Sequence, residues 1–312
     1  MKNNVYIRSN RSIFTISITR IGLLLPLIIY GFYKNGIYLY QHGYTNIIGM
    51  FKPLVLVFGS IIIGILINLV YEYIIKKNKT DLISTIFSSF HVEYSIILAC
   101  LMPISINLLV YFSVISVLLF ISKFLNNRVN IMCICFIVIY ILSTIFFDFN
   151  YANSYELDKK FSLDFMDYLI GKGIGGFATT HIILLIIAFF GLHFTNNSKT
   201  AITLSSVITL IIFFAVYAIV KDTSFLPLIF NNNLLFAFTY VVTDSVTSCY
   251  TLNGKIVFGI ISALLTGIIY IFNPILAPFI AILIVSLFNN LLDRKVNAII
   301  KNLQSIDRKK SI

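Results

Sequence analysis

Tryptophan is absent from this chain and charge is scarce: only 11% of its 312 residues are Asp, Glu, Lys or Arg, against about 25% in soluble domains. With 59% hydrophobic residues and a mean hydropathy of +0.95, that scarcity excludes an ordinary soluble domain and points to an integral membrane protein. The four cysteines form no disulfide framework, metal site or iron–sulfur cluster motif. Cys133 and Cys135, two residues apart on a helix, face different ways and read as apolar packing, as does Cys100, while Cys249 reads as a free thiol in a reducing compartment. His42, His91, His181 and His193 lack metal-ligand spacing, no hydrolase nucleophile and base assemble, and no dinucleotide-binding fingerprint occurs. No residue is therefore assigned a catalytic or metal-ligating role.

What is present is apolar sequence in span-sized pieces. About 20 apolar residues cross a bilayer, and ten segments approach that length, at 12–33, 53–75, 82–103, 105–124, 130–147, 175–193, 201–220, 228–243, 256–272 and 276–292. Tyr30, Tyr33, Tyr38, Tyr40, Tyr71 and Tyr73 cluster near the ends of these runs, where an amphipathic ring suits the headgroup zone. The basic N-terminal stretch precedes a run too long for a signal-peptide core, so it is expected to remain as the first helix.

The net charge of +11 does not indicate nucleic acid, because the basic groups are dispersed over short segments between apolar runs. They orient the spans instead. With the N-terminus inside, sixteen Lys and Arg fall in inner segments and six in outer ones, and Arg20 lies within the first helix. Both termini are expected in the cytoplasm of a multi-pass plasma-membrane protein. The polar stretch after the fifth segment then lies outside, and an odd number of spans on each side of it makes the halves inverted. The expected division is 1–147 as a first five-helix repeat, 148–174 as an extracytoplasmic loop and 175–312 as a second repeat with its tail.

The third segment of each half is interrupted. Ser88, Ser89, His91 and Glu93 break one, Pro227 and Asn231–Asn233 the other. Paired broken helices in inverted halves mark a central site at the repeat interface. His91 and Glu93 are expected either to contact each other within the bundle or to serve a site. The glycine-rich stretch "GKGIGGFATTH" reads either as an anion-binding turn or as a flexible lead into the sixth helix.

In the second half, Phe236, Thr243, Asp244, Val246, Thr247, Ser248, Phe258, Gly259, Ala281, Ile282, Leu283, Leu292, Asp293 and Arg294 fall into register with a long ordered pattern. That pattern resembles the C-terminal half of the RnfD/NqrB family, membrane proteins of Rnf electron-transport complexes and of the Na+-translocating NADH:quinone reductase. The resemblance implies an all-α polytopic fold, about ten transmembrane helices in two inverted five-helix repeats, similar to urea transporters. It also implies an FMN joined by a phosphoester to a hydroxyl on the outer side after the fifth helix, and a second, noncovalent flavin such as riboflavin. The attachment pattern resembles D-x-x-S-G-A-T. Here "DFNYANS" keeps Asp148 and the terminal hydroxyl, Ser154, and places Tyr151, Ala152 and Asn153 between them. Before the sixth helix, where the family reads G-E-T-S, Thr179 and Thr180 keep the hydroxyls and the acid is lost.

The implied function is that of a redox subunit which relays electrons through flavin, coupled to ion translocation. Its partners would be the lipid bilayer and other membrane, flavin or iron–sulfur subunits, which would oxidise NADH. Thr243, Asp244, Thr247 and Ser248 would line the inner end of the second broken helix, for a cation or a flavin ring. The alternative is that Asp244 caps a turn. From another class, a flavin-free transporter or scaffold subunit would keep the same fold and tolerate the altered "YANS".

Overall fold

The computed structural model describes residues 12–75, 77, 82–124, 129–147, 149, 151, 163–195, 199–295 and 298. Among them there are helices and connecting turns and no strand. The helices are α1 (Ile13–Gln41), α2 (Ile47–Ile75), α3 (Leu82–Ile86), α4 (His91–Leu101), α5 (Leu108–Ser122), α6 (Ile131–Phe146) and α7 (Phe165–Ile170). They continue with α8 (Ile182–Phe194), α9 (Thr200–Lys221), α10 (Phe225–Phe230), α11 (Leu234–Phe236, extended by the π-helical turn Ala237–Val241), α12 (Leu252–Tyr270), α13 (Ala277–Leu287) and α14 (Asn289–Lys295).

Among the described residues, α1, α2, α9 and α12 are each long and apolar enough to cross a membrane, and α13 with α14 forms a fifth such unit bent by 59°. Four of the remaining apolar segments form helices of 11 to 16 residues, and the segment at 228–243 is divided between the still shorter α10 and α11. At 1.5 Å per residue these fall short of a hydrocarbon layer about 30 Å thick. The apolar exteriors of α1, α2, α9 and α12 expose Ile29, Ile48, Ile62, Ile212, Ile219 and Ile268, as side chains facing lipid should.

Two short helices occupy the centre. Every residue of α4 is buried, and from Leu234 to Val241 only Leu235 is partly exposed. Close approach makes this packing work: a Cβ on Gly64 of α2 would lie 2.8 Å from Val92 Cα and from Ser95 Oγ of α4.

The bundle has two ends, defined by side-chain contacts. At the near end, where α1 begins, Phe14 meets Phe87, Lys123 donates to Ser89, and Asp293 accepts from the Tyr250 and Thr251 N–H groups. At the far end Lys34 donates to the Gly171 and Gly173 carbonyls, and Asn273 donates to Tyr140.

Three expectations are corrected here. The first apolar run continues to residue 41, because the π-helical turn Tyr33–Ile37 carries α1 onward and turns Lys34 and Asn35 inward. The sixth helix starts at Ile182 rather than residue 175, with His181 Nδ1 accepting from Leu184 N–H as its cap. The stretch Gly173–Thr180 is neither a free anion turn nor a loose lead-in. Four of its N–H groups are spent on acceptors from other segments: Ile174 N–H on Asn231 Oδ1, Gly176 N–H on Asn233 Oδ1, Phe177 N–H on Met102 O and Ala178 N–H on Cys100 O.

A Cβ on Gly176 would lie 2.6 Å from both the Cys100 and the Leu101 carbonyl oxygens. Gly176→Ala should therefore destabilise the protein by about 1–3 kcal/mol, the usual cost of overpacking. Gly22→Ala, where a Cβ meets nothing within 4 Å, should be neutral or stabilising. Unfolding midpoints of the two variants in one detergent check the contrast.

Candidate functional site

The ends of the central helices must be satisfied inside the protein, since lipid offers no hydrogen bonds. Each end is met by its own polar layer, and the sequence-predicted site residues divide between the two.

The far-end layer closes the C-terminus of α4, which stops ahead of Pro103. Leu101 O accepts from Tyr151 Oη at 2.8 Å and from Asn233 Nδ2 at 3.1 Å. Asn233 holds a left-handed backbone (φ 62°) in the break between α10 and α11. Its Nδ2 also donates to Tyr151 Oη at 2.7 Å, and its Oδ1 accepts from Gly176 N–H and from Thr179 Oγ1. Lys34 Nζ donates to Gly171 O, Gly173 O and Thr180 Oγ1 at 2.7, 2.9 and 3.2 Å, and Asn35 Nδ2 donates to Phe177 O. Thr179 and Thr180 are both buried in this layer. Asp148 and Ser154 lie outside the described residues. Phe149 and Tyr151 are buried, and Tyr151 belongs to the far-end layer.

The near-end layer carries the charge. Glu93, in the first turn of α4, forms an ion pair with Arg20 of α1, Nε to Oε1 at 2.7 Å, and both side chains are 1% exposed. The π-helical turn after α11 ends at Val241, and two carbonyls at that terminus accept from the guanidinium: Tyr240 O from Nη2 at 2.6 Å and Thr243 O from Nη1 at 3.3 Å. A cation suits the C-terminal end of a helix, where carbonyls lack intrahelical partners. Next to the pair, Tyr94 Oη donates to Asp244 Oδ1 at 2.7 Å. Asp244 Oδ2 accepts from Thr247 N–H at 3.1 Å and Oγ1 at 2.7 Å, and Ser248 Oγ donates to Asp244 O. Asp244 thus closes a turn of its own loop and also joins that loop to α4. Thr243 Oγ1 bonds back to Thr239 O.

Thr243, Asp244, Thr247 and Ser248 therefore come together at the near end. Thr179 and Thr180 lie at the other end of α4, whose 11 residues span about 16 Å. The predicted residues form two sites rather than one.

A cavity of about 80 Å³ adjoins the near-end layer, with Ser89, His91, Tyr94, Ser122, Asp244 and Thr247 as its polar wall. His91 does not meet Glu93, as the sequence allowed. Its two ring nitrogens face Ser89 Oγ at 2.6 Å and Ser122 Oγ at 2.7 Å. Lys199 Nζ donates to Ser245 O and Ser248 O and sits 4.3 Å from the Tyr250 ring centroid. Burial pushes its amine down to about 8. All four cysteines are unpaired and buried.

Sequence reasoning passed over Arg20, Tyr94, Tyr240, Lys34 and Asn35. For Arg20 the signal was available, since an arginine inside an apolar run marks a partner or a pathway. The tyrosines carried none, because a tyrosine in such a run reads equally well as packing.

This architecture, in which long apolar helices enclose two short broken ones with polar layers at opposite ends, is that of a multi-pass α-helical membrane protein. Residues 1–300 match the NQR2, RnfD, RnfE family, and the chain belongs to it. It is thereby a membrane subunit of the Rnf/Nqr-like class, which assembles with other subunits of such complexes. No curated protein matches the chain.

Removing one member of a buried ion pair costs about 3–5 kcal/mol, because the other charge is left unpaired. Arg20→Met should lower the unfolding midpoint accordingly. The double variant Arg20→Met/Glu93→Leu should recover most of the loss, and thermal unfolding of both proteins in detergent measures the difference.

Proposed function

We propose that this chain is the membrane subunit through which an Rnf/Nqr-like complex passes electrons by way of bound flavin, with ion movement coupled to that passage. The observation that carries this reading is the central pair of short buried helices, broken at opposite ends of the bundle in a chain of this family. On this reading the chain crosses the plasma membrane ten times as two inverted five-helix repeats, 1–147 and 175–312. The near end and both termini are then cytoplasmic, and the 148–174 segment is extracytoplasmic.

Volume and lining together support one place for a flavin among the described residues. Between α8, α9 and the α10–α11 break lies an apolar groove of about 380 Å³, within the roughly 300–1,000 Å³ of small-molecule pockets. Its wall includes the buried Thr203 hydroxyl, which has no hydrogen-bond partner, and Phe165 and Leu169 of α7 also line it. The groove fits an apolar ring system. FMN esterified at Ser154, three residues beyond the buried Tyr151 in a sequence that also holds Asp148, would be anchored near in sequence to the far-end layer that contains Thr179 and Thr180. A second, noncovalent flavin such as riboflavin belongs to the same reading. The flavin, when bound, supplies the electron carrier, and the chain keeps it dry and oriented. The cavity at Asp244, near 80 Å³, has room for waters but not for three fused rings. Thr243, Asp244, Thr247 and Ser248 therefore support the ion alternative over the flavin ring.

One observation favours the second reading, a flavin-free transporter or scaffold. Tyr151 stands where the attachment pattern has serine, and its ring is buried with the hydroxyl bonded to Leu101 O and Asn233. Fluorescence of the denatured gel band separates the two readings. A flavin-bearing band that disappears in Ser154→Ala is the expected result. A dark wild-type band, with solute flux in proteoliposomes lacking any redox partner, would favour the transporter.

The orientation is tested by single cysteines, because the four native ones are buried. A membrane-impermeant maleimide should label Tyr44→Cys in intact cells and Tyr250→Cys only after permeabilisation. The reverse pattern would overturn the cytoplasmic placement of the near end.

A further inference from the structure

We propose that Glu93 is a proton-binding site, served from the near end through the water-sized cavity beside Asp244 and Tyr94. This rests on the ion-coupled reading above and deepens it by naming the ion and its residue.

The groups facing Glu93 are Arg20 from α1, Tyr240 and Asp244 from the α11 segment and its following loop, and Tyr94 on α4 itself. Ser17 of α1, also buried, lies toward the carboxyl group without closing a hydrogen bond to it. Arg20 pairs with Glu93, and the Lys199 amine acts on Asp244. Protonation of Glu93 removes one buried negative charge, and buried charge is expensive to hold.

Geometry assigns the proton to Glu93 rather than Asp244. Both oxygens of Asp244 are engaged, by Tyr94 Oη on one side and by the Thr247 N–H and hydroxyl on the other. Glu93 Oε1 faces Arg20, whereas Oε2 is buried with no hydrogen-bond partner, and the buried Tyr240 hydroxyl also has none. An enclosed carboxylate oxygen with an open lone pair has the position and the capacity to take a proton. Arg20 also argues against a metal cation, because its guanidinium already occupies the cationic place in the cluster and holds the carbonyls of Tyr240 and Thr243.

The route is polar. The cavity of about 80 Å³ exceeds the ~10–15 Å³ that one water requires, and its wall offers hydroxyls, an imidazole and the Asp244 carboxylate. Ser89, His91 and Ser122 form a continuous hydrogen-bonded run along it, and Lys123 donates to Ser89. In this wall Asp244 accepts from Tyr94, and its carboxylate acts electrostatically on Glu93. No electron or second reactant is involved: a hydrated proton leaves water in the cavity and an O–H bond forms on the carboxylate.

The test is infrared difference spectroscopy of the full chain, with any copurifying subunits, in lipid nanodiscs titrated from alkaline to acidic buffer. A carboxylic-acid C=O band should appear on acidification and shift in D2O. It should be lost in Glu93→Gln and in Arg20→Met/Glu93→Leu, be displaced in frequency in Glu93→Asp, and persist in Asp244→Asn. Filling the cavity with Ile134→Trp should slow its deuterium exchange several-fold. The proposal is overturned by a wild-type protein without such a band, by a band that survives in Glu93→Gln and in Arg20→Met/Glu93→Leu, or by one that follows Na+ concentration at fixed pH. None of these readouts needs flavin or electron flow, so failure here would leave the redox reading standing, and a dark gel band would leave this one standing.

Discussion

Helix ends that lie inside an apolar bundle must find every hydrogen bond within the protein, and this requirement organises the whole structure. The α4 helix is too short to bring both its ends to water, and the same holds for the Leu234–Val241 stretch. Their orphan carbonyls and amides are met by side chains delivered from elements far away in sequence. Asn233 reaches the end of α4 across 132 residues, and Arg20 reaches Tyr240 across 220. The broken helices thus tie the first half of the chain to the second, and the long lipid-facing helices form the wall around that tie.

The two polar layers solve the same problem with different chemistry. At the far end, neutral amides, hydroxyls and a lysine held by carbonyls cap the backbone. At the near end, a guanidinium, two carboxylates and tyrosine hydroxyls are packed into a space with little solvent. The far-end groups hold backbone carbonyls and amides in place. The charged groups of the near-end layer have a polar cavity beside them, formed in part by Asp244 and His91.

Membership of the NQR2, RnfD, RnfE family gives the architecture its setting as one subunit of a larger membrane assembly. No group of three or more His, Cys, Asp or Glu residues suited to a metal ion occurs among the described residues. What the chain contributes in this setting is arrangement: an apolar groove lined in part by α7, a hydrogen-bonded far-end layer, and a charged near-end layer some 16 Å away along α4.

Much of this was legible in the sequence, because burial in lipid imposes a length and an apolar composition that can be counted. The apolar segments, the two interruptions and the clustering of Thr243, Asp244, Thr247 and Ser248 all follow from local pattern. The start of the sixth helix did not, since Gly173–Thr180 is apolar enough to extend it. That stretch is instead drawn out as a loop because the carbonyls at the end of α4 require its N–H groups. Nor could periodicity tell that His91 and Glu93 part company, one toward a serine pair and the other toward Arg20. Composition alone determined that this is a membrane chain with two broken segments. Only the tertiary structure decided which buried charge meets which, because pairing across more than a hundred residues depends on how helices pack, and local sequence carries no record of it.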